Sequence, residues 1–242
     1  MTHRVSIILP AFNEAPNVEE AVRQALDVSD DLLAEAEVIV IDDGSTDDTA
    51  AIVRRLSAED DRVRLEQHER NRGYGEAVRT GLSAARLNLV FLTDADLQFD
   101  LHELKRFLPL IDHVDVVAGY RIDRQDSAMR RLTARVWNWI VRVVFYVPVR
   151  DIDCAFKLFR REVFDDIDLS AVGAMVSTEV MVRVARSGCS VVEVGVTHYP
   201  RTAGKARGAA PSVIVKAVAE LLNIRRHLLA DEQRASRHPM SQ

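Results

Sequence analysis

The sequence predicts an α/β protein with a doubly wound, mainly parallel sheet and helices on both faces. Short apolar runs alternate with helical patterns through the first 120 residues, and these runs are almost continuously hydrophobic, as in strands that helices cover on both sides. The length of 242 residues is enough for such a sheet to bury a sizeable core. In sheets of this kind ligands bind beyond the carboxyl ends of the strands, so we expect the chemistry there.

The first half of the chain contains five predicted strands and three predicted helices. The first helix carries an apolar stripe over 18–26, with Asn13 as its predicted cap. The second helix is expected to begin at Ser45 or Thr46, and the third follows Gly73. The strands are the apolar runs 5–9, 38–41, 63–65, 87–92 and 114–118.

The second half of the chain is less regular. We predict a helical, arginine-rich stretch over 127–150, strands over 163–167 and 191–196, a mobile loop over 201–210 and a C-terminal helix over 211–230.

Composition excludes several classes of protein. The chain is 48% hydrophobic and 29% charged with a formal net charge of −5, which excludes a disordered or fibrous protein. Its two cysteines cannot form a disulfide framework, and the first apolar run is too short for a secretory signal. No run reaches the length of about 18 apolar residues that a membrane span needs. We therefore expect a cytoplasmic protein.

The net charge combines two opposite halves. Residues 1–120 carry 12 basic and 24 acidic side chains, a balance of −12, whereas residues 121–242 carry 20 and 13, a balance of +7. An anionic partner is therefore expected to meet the second half.

Two adjacent carboxylates, Asp42 and Asp43, follow the second predicted strand. They repel each other unless a ligand hydroxyl, an amide or a metal ion absorbs their charge, and the diol of a ribose would do so. The alternative is that they only complement the dipole of the next helix.

A second acidic pair follows the fourth predicted strand. Carboxylates at i and i+2 of an extended segment, Asp94 and Asp96, point the same way, and Gln98 adds a third oxygen on that side. Such a set suits Mg²⁺ or Mn²⁺, which keep water ligands and share a diphosphate. A lone pair of this kind is often only solvated, but its place after a buried strand beside Asp42 and Asp43 favours a metal site.

Taken together, the ordered motifs resemble those of family 2 glycosyltransferases with the GT-A fold, especially dolichol-phosphate mannose synthases and bacterial polyprenyl-phosphate glycosyltransferases. The resemblance covers roughly the first 225 residues, and several motifs in order are far more specific than any one of them. The motifs are Pro10-Ala11-Phe12-Asn13-Glu14, Asp42-Asp43-Gly44-Ser45-Thr46-Asp47, Asn71-Arg72-Gly73-Tyr74-Gly75, Asp94-Ala95-Asp96-Leu97-Gln98, Gly119-Tyr120-Arg121, the segment from Asp151 to Arg161, Glu179, and Arg201 to Lys205.

Carried over residue by residue, the resemblance implies a nucleotide-sugar site, a metal site and a phosphate clamp. Asp96 and Gln98 are the implied metal ligands, and Asp94, Asp96, Arg121 and Arg131 are the implied catalytic residues. The implied nucleotide-sugar site consists of Pro10, Phe12, Glu14, Asp42, Asp43, Gly73, Asp94 and Ala95. The implied clamp on donor and acceptor phosphates consists of Arg121, Arg131, Arg201 and Lys205.

The implied reaction is a single displacement that inverts the anomeric carbon of a hexose, with GDP or UDP as the leaving group. A polyprenyl phosphate acceptor is already ionised near neutral pH and needs basic clamps rather than a base. A saccharide hydroxyl, as in the synthesis of cell-envelope polysaccharide, would need a carboxylate base, with Asp151, Asp153 and Glu179 as candidates. A non-catalytic nucleotide-binding protein is the third hypothesis.

The resemblance also suggests how the chain is divided. We expect one domain over 1–230, in which 1–120 bind the nucleotide sugar and the metal ion and 121–230 bind the acceptor, followed by a disordered tail over 231–242.

The arginine-rich stretch is the predicted membrane contact. Residues 127–150 hold five arginines and no acidic residue, together with Trp137 and Trp139, which is typical of a helix that lies on an anionic membrane surface. The alternative is that the tryptophans pack against the sheet while the arginines reach water. We expect a peripheral protein at the inner face of the cell membrane, no nucleic-acid partner, and an oligomer contact as a further use of 211–230.

Overall fold

A computed structural model of the chain describes residues 2–201 apart from 123–127, 146, 148, 166 and 174, and over 128–134 it describes the backbone alone. Strands and helices alternate along this part of the chain. In order, the elements are β1 (Arg4–Ala11), α1 (Val18–Leu32), β2 (Glu35–Asp42), α2 (Thr49–Glu59), β3 (Val63–Gln67), α3 (Tyr74–Ala84), β4 (Leu89–Leu92), a 3-10 helix (Leu101–Arg106), α4 (Leu108–Ile111), β5 (Val116–Ile122), α5 (Ala128–Phe145), β6 (Lys157–Arg160), a second 3-10 helix (Arg161–Phe164), α6 (Val176–Arg186) and β7 (Val191–Thr197).

The strands form one sheet in the order β3-β2-β1-β4-β6-β5-β7. The pairs β1 with β2, β1 with β4, β2 with β3, and β5 with β7 are parallel. Strand β6 is antiparallel to both of its neighbours, β4 and β5. The predicted mainly parallel sheet is therefore confirmed, with one reversed strand inside it.

Helices cover both faces of this sheet, as predicted. On one face α1 and α2 pack with residues such as Val22 and Val53, and on the other α3, α5 and α6 pack with Val78, Val141 and Val180. The carboxyl ends of the parallel strands are thereby left to the loops that can form a site.

The predicted helix starts after β1 and β2 are wrong. Helix α1 begins only at Val18, and α2 begins at Thr49. Instead, Ser45 Oγ accepts a hydrogen bond from the backbone N–H of Asn13 at 2.8 Å, and Asn13 Oδ1 accepts one from the N–H of Thr46 at 2.8 Å. These side chains join the two loops because the loops contain backbone groups that need partners.

The predicted strand over 163–167 is also wrong. Arg161–Phe164 is a 3-10 helix, and the strand is β6, directly before it. Strand β6 has four residues and a basic residue at each end, so it lacks the continuous apolar run that marks the other buried strands.

Three predicted segments lie outside the described residues: the 201–210 loop beyond Arg201, the helix over 211–230 and the tail over 231–242. In the part of the chain that the structure describes, no helix has the length and hydropathy needed to cross a bilayer.

Candidate active site

A cavity of about 340 Å³ opens at the carboxyl edge of β1, β2 and β4. It brings together the loops after these strands, the start of α3 and the segment after β7. Seven of the eight residues predicted to bind the nucleotide sugar are in its wall, and Asp42 is the exception. The wall consists of Pro10, Ala11, Phe12, Asn13, Glu14, Asp43, Asn71, Gly73, Tyr74, Ala77, Asp94, Ala95, Asp96 and Arg201.

A larger cavity, of about 700 Å³, lies at the opposite edge of the sheet and contains none of the predicted site residues. Two of its arginines are paired within the protein, Arg4 with Glu35 and Arg64 with Glu37. We therefore place the candidate site at the smaller cavity, where the predicted residues converge.

Asp43 shapes the wall from the loop after β2. Its Oδ1 accepts from the N–H of Arg72 at 2.8 Å, and its Oδ2 accepts from the N–H of Gly73 at 2.9 Å. Its Oδ1 also lies 2.7 Å from His68 Nδ1. Gly73 has a φ of 101°, and a Cβ there would lie 2.6 Å from the carbonyl oxygen of Val172. Asp43 thus holds a turn that only glycine can form, and the bare backbone of this turn is part of the wall.

Asp42 lies behind the wall. It has no exposed surface, and its oxygens accept from the N–H of Ser45 at 3.1 Å and from Nε2 of Gln67 at 3.1 Å. The predicted place of Asp42 in the nucleotide-sugar site stays a prediction, since Asp42 is not among the residues that line the cavity. Amides of the protein itself, rather than a ligand, balance the charge of this carboxylate.

The acidic pair after β4 lies in the wall. Tyr74 donates its hydroxyl proton to Asp94 Oδ1 at 2.9 Å, and Asp96 Oδ1 accepts from the N–H of Gln98 at 3.2 Å. Burial raises the pKa of Asp94, and burial together with the charge of Asp94 raises the pKa of Asp96 to about 7. Two partly buried carboxylates, one of which raises the pKa of the other, favour the binding of a cation.

This pair suits a divalent metal ion. Carboxylate oxygens are the donors that Mg²⁺ and Mn²⁺ prefer, and water and diphosphate oxygens commonly complete the coordination. Within the described residues there is no cluster of three or more acidic, histidine or cysteine ligands, so the protein would supply only part of the shell. Gln98 lies outside the wall, and its Nε2 donates to the carbonyl of Tyr199 at 3.1 Å, so its role as a ligand remains a prediction.

Arg201 lies between the two sides of the cavity. Its guanidinium pairs with Glu14, and its Nη1 lies 3.8 Å from Asp96 Oδ2. Glu14 belongs to the predicted nucleotide-sugar site, and Asp96 is a predicted metal ligand. A guanidinium between them is well placed to bind phosphate oxygens.

Comparison with known proteins decides the family. Residues 6–168 match the family model described as Glycosyl transferase family 2. The chain belongs to glycosyl transferase family 2. The predicted resemblance is therefore confirmed, and so is the class of enzyme, a glycosyltransferase.

Curated relatives of this family 2 chain come from archaea and bacteria. Glycosyltransferase AglD of Haloferax volcanii is 35% identical over 207 residues, which are 81% of this chain and 33% of AglD. An undecaprenyl-phosphate 4-deoxy-4-formamido-L-arabinose transferase of Pseudomonas fluorescens is 35% identical over 168 residues, 67% of this chain and 48% of the relative. The chain thus spans between a third and a half of the length of these relatives.

Solved structures share the fold. Glucosyl-3-phosphoglycerate synthase of Mycobacterium tuberculosis, in complex with Mn²⁺, UDP and phosphoglyceric acid, has a TM-score of 0.71 at 21% identity, over 92% of this chain and 78% of that one. Mannosyl-3-phosphoglycerate synthase of Rubrobacter xylanophilus has a TM-score of 0.71 at 18% identity, over 96% and 75%. The GT-A fold of this family 2 glycosyltransferase is confirmed.

In the second half of the glycosyltransferase, Arg121 and Asp151 neutralise each other. Nε and Nη2 of Arg121 each donate to a carboxylate oxygen of Asp151 at 2.7 Å, and the Arg121 N–H donates to it at 3.2 Å. Asp151 is therefore the ion-pair partner of Arg121 in this structure. The base role of Asp151 and the phosphate contact of Arg121 stay predictions.

Glu179 is likewise a structural residue. It has no exposed surface, and its oxygens accept from the N–H groups of Ser170 and Ala171, at 2.9 and 2.7 Å, and from Nε of Arg183 at 3.1 Å. Glu179 is not among the residues that line the cavity, and its role as a base or sugar contact stays a prediction. Glu179 fixes the loop whose Val172 packs against Gly73.

The remaining predictions concern Asp153, which is exposed, and Arg131 and Lys205, whose side chains lie outside the described residues.

Sequence reasoning missed Tyr74 and His68. Tyr74 lies within the motif that contains Gly73, so the motif itself could have indicated it, whereas nothing in the sequence indicates that His68 contacts Asp43.

Proposed function

We propose that this family 2 glycosyltransferase moves a hexose from a GDP- or UDP-linked sugar to a polyprenyl phosphate, with a divalent cation and with inversion of the anomeric carbon. The observation that carries the proposal is the cavity wall, where Asp94 and Asp96 lie beside Arg201 and the loops after β1 and β2. A nucleoside diphosphate and its metal ion require this combination of charges. Relatives named as undecaprenyl-phosphate transferases support the acceptor.

On the donor side, we assign Pro10, Phe12 and Glu14 to the nucleobase, Asp94 to the ribose and the metal ion, and Ala95 to the nucleotide sugar. These residues line the same cavity as the turn at Gly73. Because Gly73 has no side chain, a ligand can approach its backbone closely.

Asp94 and Asp96 are the residues that would hold Mg²⁺ or Mn²⁺. When bound, such an ion neutralises the charge on the leaving diphosphate. The contribution of the protein is to fix the two carboxylates, which it does through the hydroxyl of Tyr74 and the N–H of Gln98.

The pairing and burial of the candidate bases favour a phosphate acceptor over a saccharide hydroxyl. A saccharide hydroxyl would need a base within hydrogen-bonding reach, but Asp151 is paired with Arg121 and Glu179 is fully buried. Asp153 is the remaining candidate among the three. A phosphate acceptor needs cationic groups instead, and Arg201 supplies one at the cavity.

We further propose that α5 contacts the membrane surface. Trp139 is 59% exposed and Val143, one turn later, is 52% exposed, with the exposed Arg135 and Arg142 on the same helix. Trp137, by contrast, packs against the core. The two predicted alternatives therefore apply to one tryptophan each, and the face around Trp139 suits an anionic membrane surface.

The transfer reaction itself is the test. Labelled GDP- and UDP-sugars are incubated with a polyprenyl phosphate in detergent, and we expect a charged, acid-labile glycolipid that forms with Mg²⁺ or Mn²⁺ and is absent with a chelator. Asp96→Ala should abolish its formation and keep the circular dichroism of the wild type. Extension of a saccharide without any glycolipid would contradict the proposed acceptor, and full activity with the chelator would contradict the metal ion.

A further inference from the structure

Lys157 places an ammonium group in the middle of the sheet. It pairs in register with Leu92 of β4 on one side and with Ala118 of β5 on the other, and it is 2% exposed. Its Nζ donates to the carbonyl of Ile152 at 3.1 Å and to that of Cys154. Burial lowers the pKa of this ammonium. Burying a charge costs several kcal/mol, and an apolar chain of similar volume would avoid this cost, so packing does not explain the lysine.

One effect of Lys157 is on the loop before β6. The two carbonyls that Nζ holds flank Asp153. The same loop is held from α5, because Asn138 Oδ1 accepts from the N–H of Ile152 at 2.9 Å, and from β5 through the ion pair of Asp151. Lys157 thus joins Asn138 and Arg121 in fixing the loop that contains Asp151 and Asp153.

A second effect is on the acidic pair in the cavity wall. Leu92, the partner of Lys157 across the strands, precedes Asp94 by two residues. Charges interact strongly where water is excluded. A positive charge on the protein side of these carboxylates therefore weakens their attraction for a cation on the cavity side.

We infer that Lys157 is a positioning residue for glycosyl transfer, which fixes the loop containing Asp151 and Asp153 and whose charge limits how tightly Asp94 and Asp96 hold a divalent cation. The inference rests on the proposed function for the identity of the reaction. A cation held less tightly allows the diphosphate product to leave, and product release limits turnover in many enzymes.

Two substitutions separate the two effects. Lys157→Gln removes the charge but keeps an N–H donor for the loop carbonyls, whereas Lys157→Met removes both. The control is Lys105→Met, at an exposed lysine in the first 3-10 helix. Binding of Mn²⁺ alone, without nucleotide or acceptor, is followed by electron paramagnetic resonance. Both Lys157 variants should bind Mn²⁺ at least about threefold more tightly than the wild type, and Lys105→Met should not.

The loop effect is measured by turnover. We expect kcat to fall about tenfold or more in Lys157→Met and less in Lys157→Gln, with the KM of the donor nearly unchanged.

Three results would overturn the inference. The first is unchanged or weaker Mn²⁺ binding in folded Lys157→Gln, and the second is wild-type turnover in Lys157→Met. The third is loss of the wild-type circular dichroism in both variants, which would show that the lysine is required for folding. Because the Mn²⁺ titration contains neither donor nor acceptor, its result does not depend on the proposed acceptor. Failure of the glycolipid assay would therefore leave the Mn²⁺ result unaffected.

Discussion

At the scale of single residues, hydrogen bonds from neighbouring loops determine how the carboxylates meet the cavity. Asp94 receives the hydroxyl of Tyr74, whereas both oxygens of Asp43 are occupied by backbone N–H groups and His68. Carboxylates that look equivalent in sequence therefore differ in their hydrogen bonds. Asp43 holds the wall, and Asp94 and Asp96 are the carboxylates that we propose for a cation.

Removal of the Tyr74 hydroxyl should impair transfer without unfolding the protein. In Tyr74→Phe, Asp94 loses a hydrogen bond to a charged oxygen, which contributes about 1.5–3 kcal/mol, so we expect kcat/KM to fall about 10- to 100-fold. Tyr120→Phe removes the same atom from a tyrosine outside the cavity wall and is the control. Equal activity of Tyr74→Phe and the wild type would show that Asp94 does not need this bond.

What the sequence could predict at this scale was the composition of the wall, because Pro10 to Glu14 and Asp94 to Asp96 are local motifs that directly follow or end buried strands. What it could not predict were the partners distant in sequence. Arg121 pairs with Asp151, 30 positions away in sequence. Such a pair makes one of the candidate bases the partner of a predicted phosphate ligand. Such pairs depend on the tertiary fold.

At the scale of elements, the start of α3 packs against the loop that Glu179 holds. The N–H of Gly75 donates to the carbonyl of Val172 at 2.7 Å, and a Cβ on Gly75 would lie 2.1 Å from the carbonyl oxygen of Ala171. Because this contact joins the backbone of α3 to the backbone of the loop, a change of side-chain rotamer cannot relieve a clash there. This contact positions the turn that lines the cavity.

Gly75→Ala should therefore lower both stability and nucleotide binding. We expect the free energy of unfolding in urea to fall by about 1–3 kcal/mol, since helix and loop must separate, and the affinity for a nucleoside diphosphate to fall with it. Gly188→Ala is the control, because Gly188 has a φ of 77° with no atom within 4 Å of an added Cβ. That variant should lose stability through backbone strain but keep nucleotide binding. Unimpaired nucleotide binding in Gly75→Ala would contradict the role of this contact.

Helix α5 yields a prediction about membranes. Neutralising Arg135 and Arg142 together should weaken binding to vesicles that contain anionic lipid by about 2 kcal/mol, or about 30-fold, because each basic residue near such a surface contributes about 1 kcal/mol. Binding of the wild type should also decrease with added salt. Sedimentation with vesicles measures both effects.

The control for this helix is the double substitution of Arg54 and Arg161, two exposed arginines outside α5. It should leave vesicle binding unchanged. Equal losses in the two double variants would indicate attraction by net charge alone rather than docking of this face.

Elements were predictable where one physical cause dominated. The parallel strands β1, β2 and β4 are buried on both faces over most of their length, so their apolar runs are nearly continuous. All five apolar runs in the first half contribute to strands. Strand β6 escaped prediction because its first residue is a buried lysine whose charge is held by loop carbonyls. That exception is also the residue to which we assign a positioning role.

At the scale of the whole molecule, one sheet joins the acidic and basic halves. Strand β5 spans the boundary at residue 120 and pairs with β7 and β6, while β6 pairs with β4 of the first half. The two predicted halves therefore share one sheet within the described residues, and the extent of the domain up to residue 230 stays a prediction. The shared sheet also brings Arg201 from the basic half to Asp96 of the acidic half.

The most direct test of the central claim, that the cavity at Asp94 and Asp96 binds a nucleoside diphosphate together with a divalent cation, is calorimetric titration of the full chain with GDP and with UDP. We predict binding of at least one of them with Mn²⁺ present, loss of that binding with a chelator, and the same loss in folded Asp96→Asn. Undiminished affinity with the chelator or in folded Asp96→Asn, or no binding of either nucleotide to the wild type with Mn²⁺, would contradict it.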